Sequence, residues 1–193
     1  MVPHRRAESV CALILVLMPR ASVPDVTAAL AAPEELDDVH ELLGAAGAAL
    51  AARGFPNWLP EYARDRVQAD IDQRVAWAVR DTHDALVATF MLRAEPVRPY
   101  VDIEWGDAQA VARYLNRLAV DPARQGQGIG RWCLAFIAQA CRASGATAVR
   151  CDVLSANVPL RRFYERNGFV ARGERYHSGW HFVVYERLIT ENG

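Results

Sequence analysis

The stretch LAVDPARQGQGIG, residues 118–130, is the part of the sequence that decides the fold. It runs from an apolar segment into three glycines at alternate positions, Gly126, Gly128 and Gly130. Glycine takes positive φ values at little cost and lets the backbone approach a ligand closely. After these glycines, apolar residues recur at the spacing of a helix. The free N–H groups in the first turn of a helix favour an anion such as a diphosphate. The stretch therefore predicts a strand, a tight turn and a helix, with the turn being either a phosphate site or simply a tight connection.

The helix after this turn carries the apolar stripe of a helix that packs on a core. Leu134, Ile137, Ala138 and Cys141 recur at positions i, i+3, i+4 and i+7, which lie on one helical face. We expect this stripe to fix the turn against the core and to have a structural role only.

A second informative stretch, NVPLRRFYERNGF, covers residues 157–169. Asn157 stands where a helix begins, a position that asparagine favours as an N-cap. Tyr164 lies seven residues further on, two helical turns away on the same face. By itself, Tyr164 is a candidate core aromatic and Asn157 a plain helix cap.

The rest of the chain predicts a single mixed α/β domain over residues 26–193, because strand-like and helix-like patterns alternate without repeats or linkers. The expected order is β-α-α-β-β-β-α-β-α-β-β. Predicted strands cover residues 26–32, 75–79, 85–91, 114–120, 149–153, 169–172 and 181–188, and predicted helices cover 33–53, 61–72, 130–144 and 158–167.

Composition excludes several chemistries. The chain has 193 residues and contains no lysine, so all 22 basic residues are arginines. A lysine-containing phosphate loop, a pyridoxal Schiff base and lysine acid–base catalysis are therefore ruled out. The formal net charge of −1 argues against a nucleic-acid-binding protein. The five histidines follow no metal-binding pattern, and the four cysteines lack paired spacing, so we expect no metal and reduced thiols in a cytoplasmic protein.

The N-terminal extension, residues 1–25, has three open interpretations. His4, Arg5 and Arg6 precede an apolar run over residues 10–18, which is too short to span a membrane. The segment is either an upstream extension with Met18 as the natural start, an additional strand, or a secretory signal. We expect no membrane association.

Two linked motifs give the sequence a resemblance to a known family. Residues 124–130, RQGQGIG, resemble the acyl-CoA signature Q/R-x-x-G-x-G/A of the GNAT superfamily of N-acyltransferases. Residues 157–169 are similar to that family's second block in their asparagine, their aromatic–tyrosine pair and their Gly-Phe ending. The element order along residues 26–189 agrees as well.

The resemblance implies a mostly antiparallel, twisted sheet with splayed central strands and flanking helices, and acetyl-CoA as co-substrate. The pantetheine arm would lie along Leu118, Ala119 and Val120, and Asn157 would hydrogen-bond the cofactor. Tyr164 would protonate the departing thiolate as general acid. The diphosphate would be held by the backbone of the glycine turn, with two arginines as auxiliary cations: Arg124, Gln125, Gly126, Gln127, Gly128, Ile129, Gly130 and Arg131.

The acceptor side is less defined by sequence. The segment 114–118 lacks the glutamate that some family members place there. Four groups remain as candidate bases: Asp102, Glu104, Asp152 and His177. Five aromatic residues are candidates for lining an acceptor pocket or for packing as lids: Trp58, Trp105, Tyr114, Tyr176 and Trp180.

The function that these motifs favour is acetyl transfer from acetyl-CoA to the primary amine of a small molecule, directly within a ternary complex. The backbone near Val120 would polarise the thioester carbonyl. A protein or peptide amine is the alternative acceptor, and a non-catalytic acyl-CoA-binding module is the alternative function. A cysteine acyl-enzyme is not expected, and the family resemblance allows a homodimer.

Overall fold

The computed structural model describes residues 24–98 and 100–190, and within them it shows the predicted order of elements. The strands are β1 Val26–Leu30, β2 Ala76–Asp81, β3 Leu86–Arg93, β4 Ala112–Val120, β5 Ala148–Leu154, β6 Val170–His177 and β7 Trp180–Leu188, and the helices are α1 Leu36–Ala52, α2 Arg64–Asp72, α3 Ile129–Ala143 and α4 Val158–Arg166. Almost all of the predicted extension 1–25, including Cys11, lies outside the described residues.

Three predicted boundaries are wrong by more than two residues. The helix predicted from residue 33 begins at Leu36, because Pro33–Glu35 form a separate 3₁₀ turn before it. The helix predicted from residue 61 begins at Arg64, because tertiary contacts hold Tyr62 outside it: the Tyr62 carbonyl bonds to His40 Nε2 at 2.9 Å. The strand predicted over 169–172 continues to His177, where it pairs with the end of β7. Apolar and polar residues do not alternate in this part of β6, because the face that carries Arg175 and His177 lines a polar cavity.

The central strands of the sheet splay apart, as predicted. The sheet order is β1-β2-β3-β4-β5-β7-β6, and all neighbours are antiparallel except β4 and β5. This parallel pair is formed only between residues 112–114 and 148–150, although β4 continues to Val120 and β5 to Leu154. A V-shaped opening therefore lies between the two strands at their carboxyl ends.

Helices cover both faces of the sheet. Along β2, Ala76 and Ala78 pack with α1 and α2, whereas Trp77 and Val79 pack toward α3 and α4, as the alternation of a strand requires. The stripe predicted on α3 is buried throughout, at Leu134, Ile137, Ala138 and Cys141. The opening between β4 and β5 thus connects one helical layer to the other.

A buried ion cluster holds the long loop between β3 and β4. Glu186 on β7 is fully buried, and its carboxylate accepts hydrogen bonds from Arg150 Nε at 3.1 Å and Arg172 Nε at 3.0 Å. The Gly106 backbone N–H donates to the same carboxylate at 2.7 Å. The Arg150 guanidinium also lies 3.8 Å over the Trp105 ring. This cluster ties three strands to the loop that ends at the cavity.

Candidate active site

The opening between β4 and β5 forms a cavity of about 950 Å³ that reaches both helical layers. One end is lined by the glycine turn and α4, and the other by the α1–α2 loop, the β3–β4 loop and the β6–β7 turn. The first is called the turn end and the second the acceptor end. The volume is near the upper limit for small-molecule sites, which leaves room for two ligands meeting at the sheet.

The turn end has the geometry of an anion site. Gly126 and Gly128 have φ values of +80° and +85°, and Gly128 is the N-cap of α3. The first backbone N–H groups of α3 have no partner within the helix, so they are available to a ligand at the positive end of its dipole. Gly130 lets α3 approach α4 closely, because a Cβ there would lie 3.3 Å from the Phe163 ring.

Side chains around the turn hold it in place. Arg53 donates to Gln125 Oε1 at 2.7 Å, and Gln125 Nε2 donates to the Val120 carbonyl at 3.2 Å. Arg124 pairs with Asp81 at 2.9 Å. The pKa of Asp81 is lowered, mainly by the His83 backbone N–H. Arg124 is therefore a partly neutralised cation, with 42% of its side chain exposed at the cavity.

The predicted cofactor residues lie together, with one exception. Those lining the cavity are Leu118, Ala119, Val120, Arg124, Gln125, Gly126, Gly128, Ile129, Gly130, Arg131 and Asn157. Gln127 is not part of the lining, because its side chain folds back over the turn toward the Ala123 carbonyl, 3.5 Å away.

Tyr164 lies in the wall of the cavity, with only 7% of its surface exposed. Its ring packs edge-on against Phe163 and Phe169. Its hydroxyl makes no hydrogen bond to any residue in the described ranges. Burial raises the pKa of Tyr164 well above its usual range, and Cys151 and Asp152 add to that effect. The side chain is therefore a packed aromatic whose phenol stays protonated.

Asn157 caps α4, since its Oδ1 accepts from the Leu160 N–H at 3.1 Å. The residue is buried but still lines the cavity. The cap leaves the side-chain amide donors available to a ligand, so the two roles predicted for Asn157 are compatible.

Two of the four candidate bases lie at the cavity. Asp152 Oδ2 is 3.4 Å from Arg175 Nη1 and 3.7 Å from His177 Nε2. The Asp152 charge also adds to the raised pKa values of Tyr62 and Tyr100, for which burial is the main cause. Asp102 and Glu104 are exposed on the β3–β4 loop and do not line the cavity.

Of the five aromatic residues predicted to line an acceptor pocket, some lie at the cavity and others do not. Trp58 and Trp180 line the cavity, but Trp105, Tyr114 and Tyr176 do not. Trp105 covers Arg150, and Tyr114 stacks on Tyr100 at 5.8 Å.

Arginines at the acceptor end were not predicted from the sequence. They are Arg66, Arg98, Arg117 and Arg175. Arg117 occupies a bulge in β4: Thr89 pairs with Ala119 whereas Met91 pairs with Asn116, so two residues of β4 face one of β3. The sequence did contain one signal for Arg175. Arg175 and His177 are two residues apart, so they would lie on the same face of β6 if the strand continued past the predicted residue 172.

Valine at Gly128 is expected to weaken acetyl-CoA binding at least tenfold, because a β-branched residue resists φ near +85° at the anion site. Gly145→Val is the matched control: Gly145 has φ +72° just beyond the other end of α3, away from the cavity. Both variants should lose about 1–2 kcal/mol of stability. Equal cofactor affinity of the two variants, measured by isothermal titration calorimetry, would show that the turn does not hold the cofactor.

The described cysteines are poor nucleophiles. Burial raises the pKa of Cys133 to about 12 and that of Cys141 to about 11, and it raises the pKa of Cys151 well above its usual value. A thiol reacts as its thiolate, so these three should resist alkylation.

We expect iodoacetamide at pH 8 to leave Cys133, Cys141 and Cys151 unmodified in the folded protein and to label all three in urea. Peptide mass spectrometry reads each site separately, so Cys11 does not interfere. Rapid labelling of Cys151 in the folded state would show a reactive thiolate, and a cysteine acyl-enzyme would then have to be considered.

Within the described residues, no helix is long and apolar enough to cross a membrane.

Comparisons with known proteins agree with this geometry. The family model described as "Acetyltransferase (GNAT) family" matches residues 44–169. No curated protein sequence matches the chain. Among solved structures, a GNAT-family acetyltransferase from Streptococcus agalactiae 2603 is 21% identical with a TM-score of 0.72, covering 86% of this chain and 96% of its own.

Two further structures share the fold at lower identity. PaiA N-acetyltransferase from Thermoplasma acidophilum, in complex with coenzyme A, is 15% identical with a TM-score of 0.65, covering 84% of this chain and 98% of its own. The ribosomal-protein-S18-alanine N-acetyltransferase from Escherichia coli is 16% identical with a TM-score of 0.62, covering 87% and 96%. The family model spans more than half of the sequence, and both of its motif blocks meet at one cavity. The chain therefore belongs to the GNAT family of acetyltransferases.

Proposed function

We propose that this chain is an N-acetyltransferase that transfers the acetyl group of acetyl-CoA directly to the primary amine of a small molecule. The observation that carries the proposal is the single cavity that joins the glycine turn, the Tyr164 side chain and the Asp152 carboxylate. An anion site, a proton donor and a proton acceptor are the three groups that thioester aminolysis requires.

The turn end fits the cofactor's phosphates without any lysine. The first N–H groups of α3 and the Arg131 side chain would hold the diphosphate. Residues 115–120 of β4 have no β5 partner, so the amide-rich pantetheine arm can pair with this edge as an added strand. Asn157, which faces the same opening, would hydrogen-bond the cofactor from the α4 side.

The chemistry needs three proton transfers. Asp152, through His177 or a water, would accept the proton of the acceptor's ammonium, so that the nitrogen can attack the thioester carbonyl carbon. A backbone N–H near Val120 would polarise the carbonyl oxygen. The attack forms the C–N bond of a tetrahedral intermediate; as its C–S bond then breaks, Tyr164 would donate its proton to the sulfur, so that coenzyme A leaves as the thiol. The nitrogen would pass its second proton through water to the Tyr164 phenolate, which leaves a neutral amide and restores the acid.

The proposal is for transfer in a ternary complex. A cysteine acyl-enzyme would require a reactive thiolate, and burial keeps the three described cysteines protonated.

A small-molecule acceptor is favoured because the acceptor end of the concave cavity is walled by aromatic residues, Trp58, Tyr62, Tyr100 and Trp180. Acceptors differ widely among proteins of this fold, as the name of the Escherichia coli ribosomal-protein enzyme illustrates.

The experiment is thiol release from acetyl-CoA, followed with a chromogenic disulfide, across a panel of amines and N-terminal peptides. We expect turnover with at least one small amine, together with an acetylated product in the mass spectrum. Cofactor binding without turnover on any acceptor would favour an acyl-CoA-binding module. A preference for peptides would replace the small molecule by a protein amine, and failure to bind coenzyme A would reject the proposal.

A further inference from the structure

The acceptor end of the cavity is strongly basic. Four arginines line it, Arg66, Arg98, Arg117 and Arg175, whereas the cavity lining within the described residues contains one carboxylate, Asp152. An amine acceptor arrives as a cation, so this excess of positive charge is the opposite of what a simple amine or a polyamine would need.

Only part of this charge is neutralised internally. Asp152 lies between Arg175 and His177. Asp70 is shared by two arginines, Arg93 and Arg117, so that group retains a net positive charge.

Two of the four arginines have no carboxylate partner within residues 24–98 and 100–190. Arg98 donates to Ser178 Oγ at 3.2 Å, which joins the β3–β4 loop to the β6–β7 turn. Arg66 is exposed at the start of α2, and no ion pair connects it to any residue in the described ranges. Both guanidinium groups are therefore available to a ligand.

Two aromatic faces at this end, those of Tyr62 and Tyr100, are already occupied by cations. The Arg117 guanidinium lies 4.2 Å from the centre of the Tyr62 ring, and that of Arg175 lies 4.6 Å from the centre of the Tyr100 ring. An aromatic face that holds a guanidinium no longer attracts a second cation. These two tyrosines therefore do not offer a polycation an aromatic cage.

These arginines are not part of the phosphate site at the other end. The glycine turn has its own arginines, Arg53, Arg124 and Arg131. Arg66 belongs to α2, which packs on the sheet face opposite α3, and Arg98 is tied to the β6–β7 turn. The basic groups thus form two sets, one at each end of the cavity.

We infer that the acceptor is a small amine that also carries an oxyanion group, as an α-amino acid does. Its ammonium would lie at Asp152, near Tyr164, and its anionic group would be bound by Arg98 and Arg66. Charge-assisted bonds from two guanidinium groups favour such a zwitterion, and the same charges disfavour a polyamine. This inference rests on the proposed function, since it names the acceptor of that reaction.

The test compares acceptors that differ only in charge: α-amino acids, their amides, the amines without the carboxylate, the matching aminophosphonates, and spermidine. We expect kcat/KM for the acids to exceed that for their amides by about tenfold or more, with spermidine the poorest acceptor. If the aminophosphonates exceed the amino acids, the oxyanion is of the phosphate type.

Substitutions of Arg98 and Arg66 test whether these two arginines cause the preference for acids over amides. Arg98→Gln and Arg66→Gln should each lower kcat/KM for the acids about tenfold while leaving kcat/KM for the amides and KM for acetyl-CoA unchanged. Arg162→Gln is the matched control, because this arginine is exposed on α4 and does not line the cavity. An equal loss in Arg162→Gln would mean that only the overall charge matters and would overturn the inference.

A measurement of acceptor binding distinguishes failure of this inference from failure of the proposed function. Each amine is titrated calorimetrically into the protein saturated with coenzyme A. Tighter binding of the acids than of the amides supports the inference, even if no amine is acetylated and the proposed function fails. Equal binding of acid and amide, or a preference for spermidine, overturns the inference even if acetyl transfer is observed.

Discussion

Replacing Tyr164 with phenylalanine is expected to lower kcat for acetyl transfer by about 10²–10⁴-fold, the usual contribution of a positioned general acid. The substitution removes only the hydroxyl, and no described residue hydrogen-bonds to it. The ring would keep its packing against Phe163 and Phe169. KM for acetyl-CoA should change little, because the missing proton is needed only as the C–S bond breaks.

Tyr185→Phe is the matched control for this variant. Tyr185 is also a buried tyrosine, but its hydroxyl donates to Glu165 at 2.8 Å and does not line the cavity. We expect the control to lose about 1 kcal/mol of stability and to keep its activity within about twofold. If Tyr164→Phe retains a third or more of the wild-type kcat, another group or water supplies the proton.

The pH dependence of kcat gives a second test of Tyr164. Burial raises the pKa of Tyr164, so the phenol stays protonated below that raised value and loses its proton only above it. The acid is therefore present throughout the range in which amines become deprotonated. We expect kcat to rise with pH and to show no decline up to pH ~9.5, whereas an ordinary phenol would begin to ionise there. A fall of kcat between pH 8 and 9 would contradict this assignment.

Glutamine at Glu186 is expected to destabilise the protein by about 3–5 kcal/mol, the range found when one partner of a buried ion cluster is neutralised. Glu186 is fully buried, and Arg150 beside it is 5% exposed, so loss of the carboxylate leaves a buried guanidinium without its counter-charge. The loop that contains Gly106 would also lose its attachment to β7. Urea denaturation followed by circular dichroism measures the loss.

The control is Asp37→Asn, which removes one partner of a salt bridge on the surface. Asp37 and Arg64 are 2.7 Å apart, but 79% and 58% of their side chains are exposed. We expect a change of less than about 1 kcal/mol there. If Glu186→Gln is no more destabilising than Asp37→Asn, the cluster is not what holds the loop.

The fold and the turn end of the site could be predicted because their signals are local. The glycines of residues 126–130 and the apolar stripe of α3 each specify a conformation through neighbouring residues. The cap at Asn157 and the position of Tyr164 follow from one helix. Together these two blocks were sufficient to identify the family.

The acceptor end could not be predicted, because it is assembled from segments far apart in the sequence. Arg117 reaches Tyr62 only through a bulge in β4, and Arg98 reaches Ser178 across 80 positions. Tyr62 itself was expected inside a helix, but its contact with His40 holds it outside. Trp105 matched the pattern of a pocket aromatic, yet Arg150 on β5 holds it in the buried cluster.

A crystal structure of the protein with coenzyme A tests the central claim most directly. We predict that the diphosphate accepts hydrogen bonds from the first N–H groups of α3 and that the pantetheine arm lies along β4 in the opening beside β5. The sulfur should then lie within about 3.5 Å of the Tyr164 hydroxyl, within reach of a hydrogen bond. Coenzyme A bound outside this cavity, or a sulfur more than about 6 Å from that hydroxyl, would contradict the account, because Tyr164 could not then protonate the leaving thiolate.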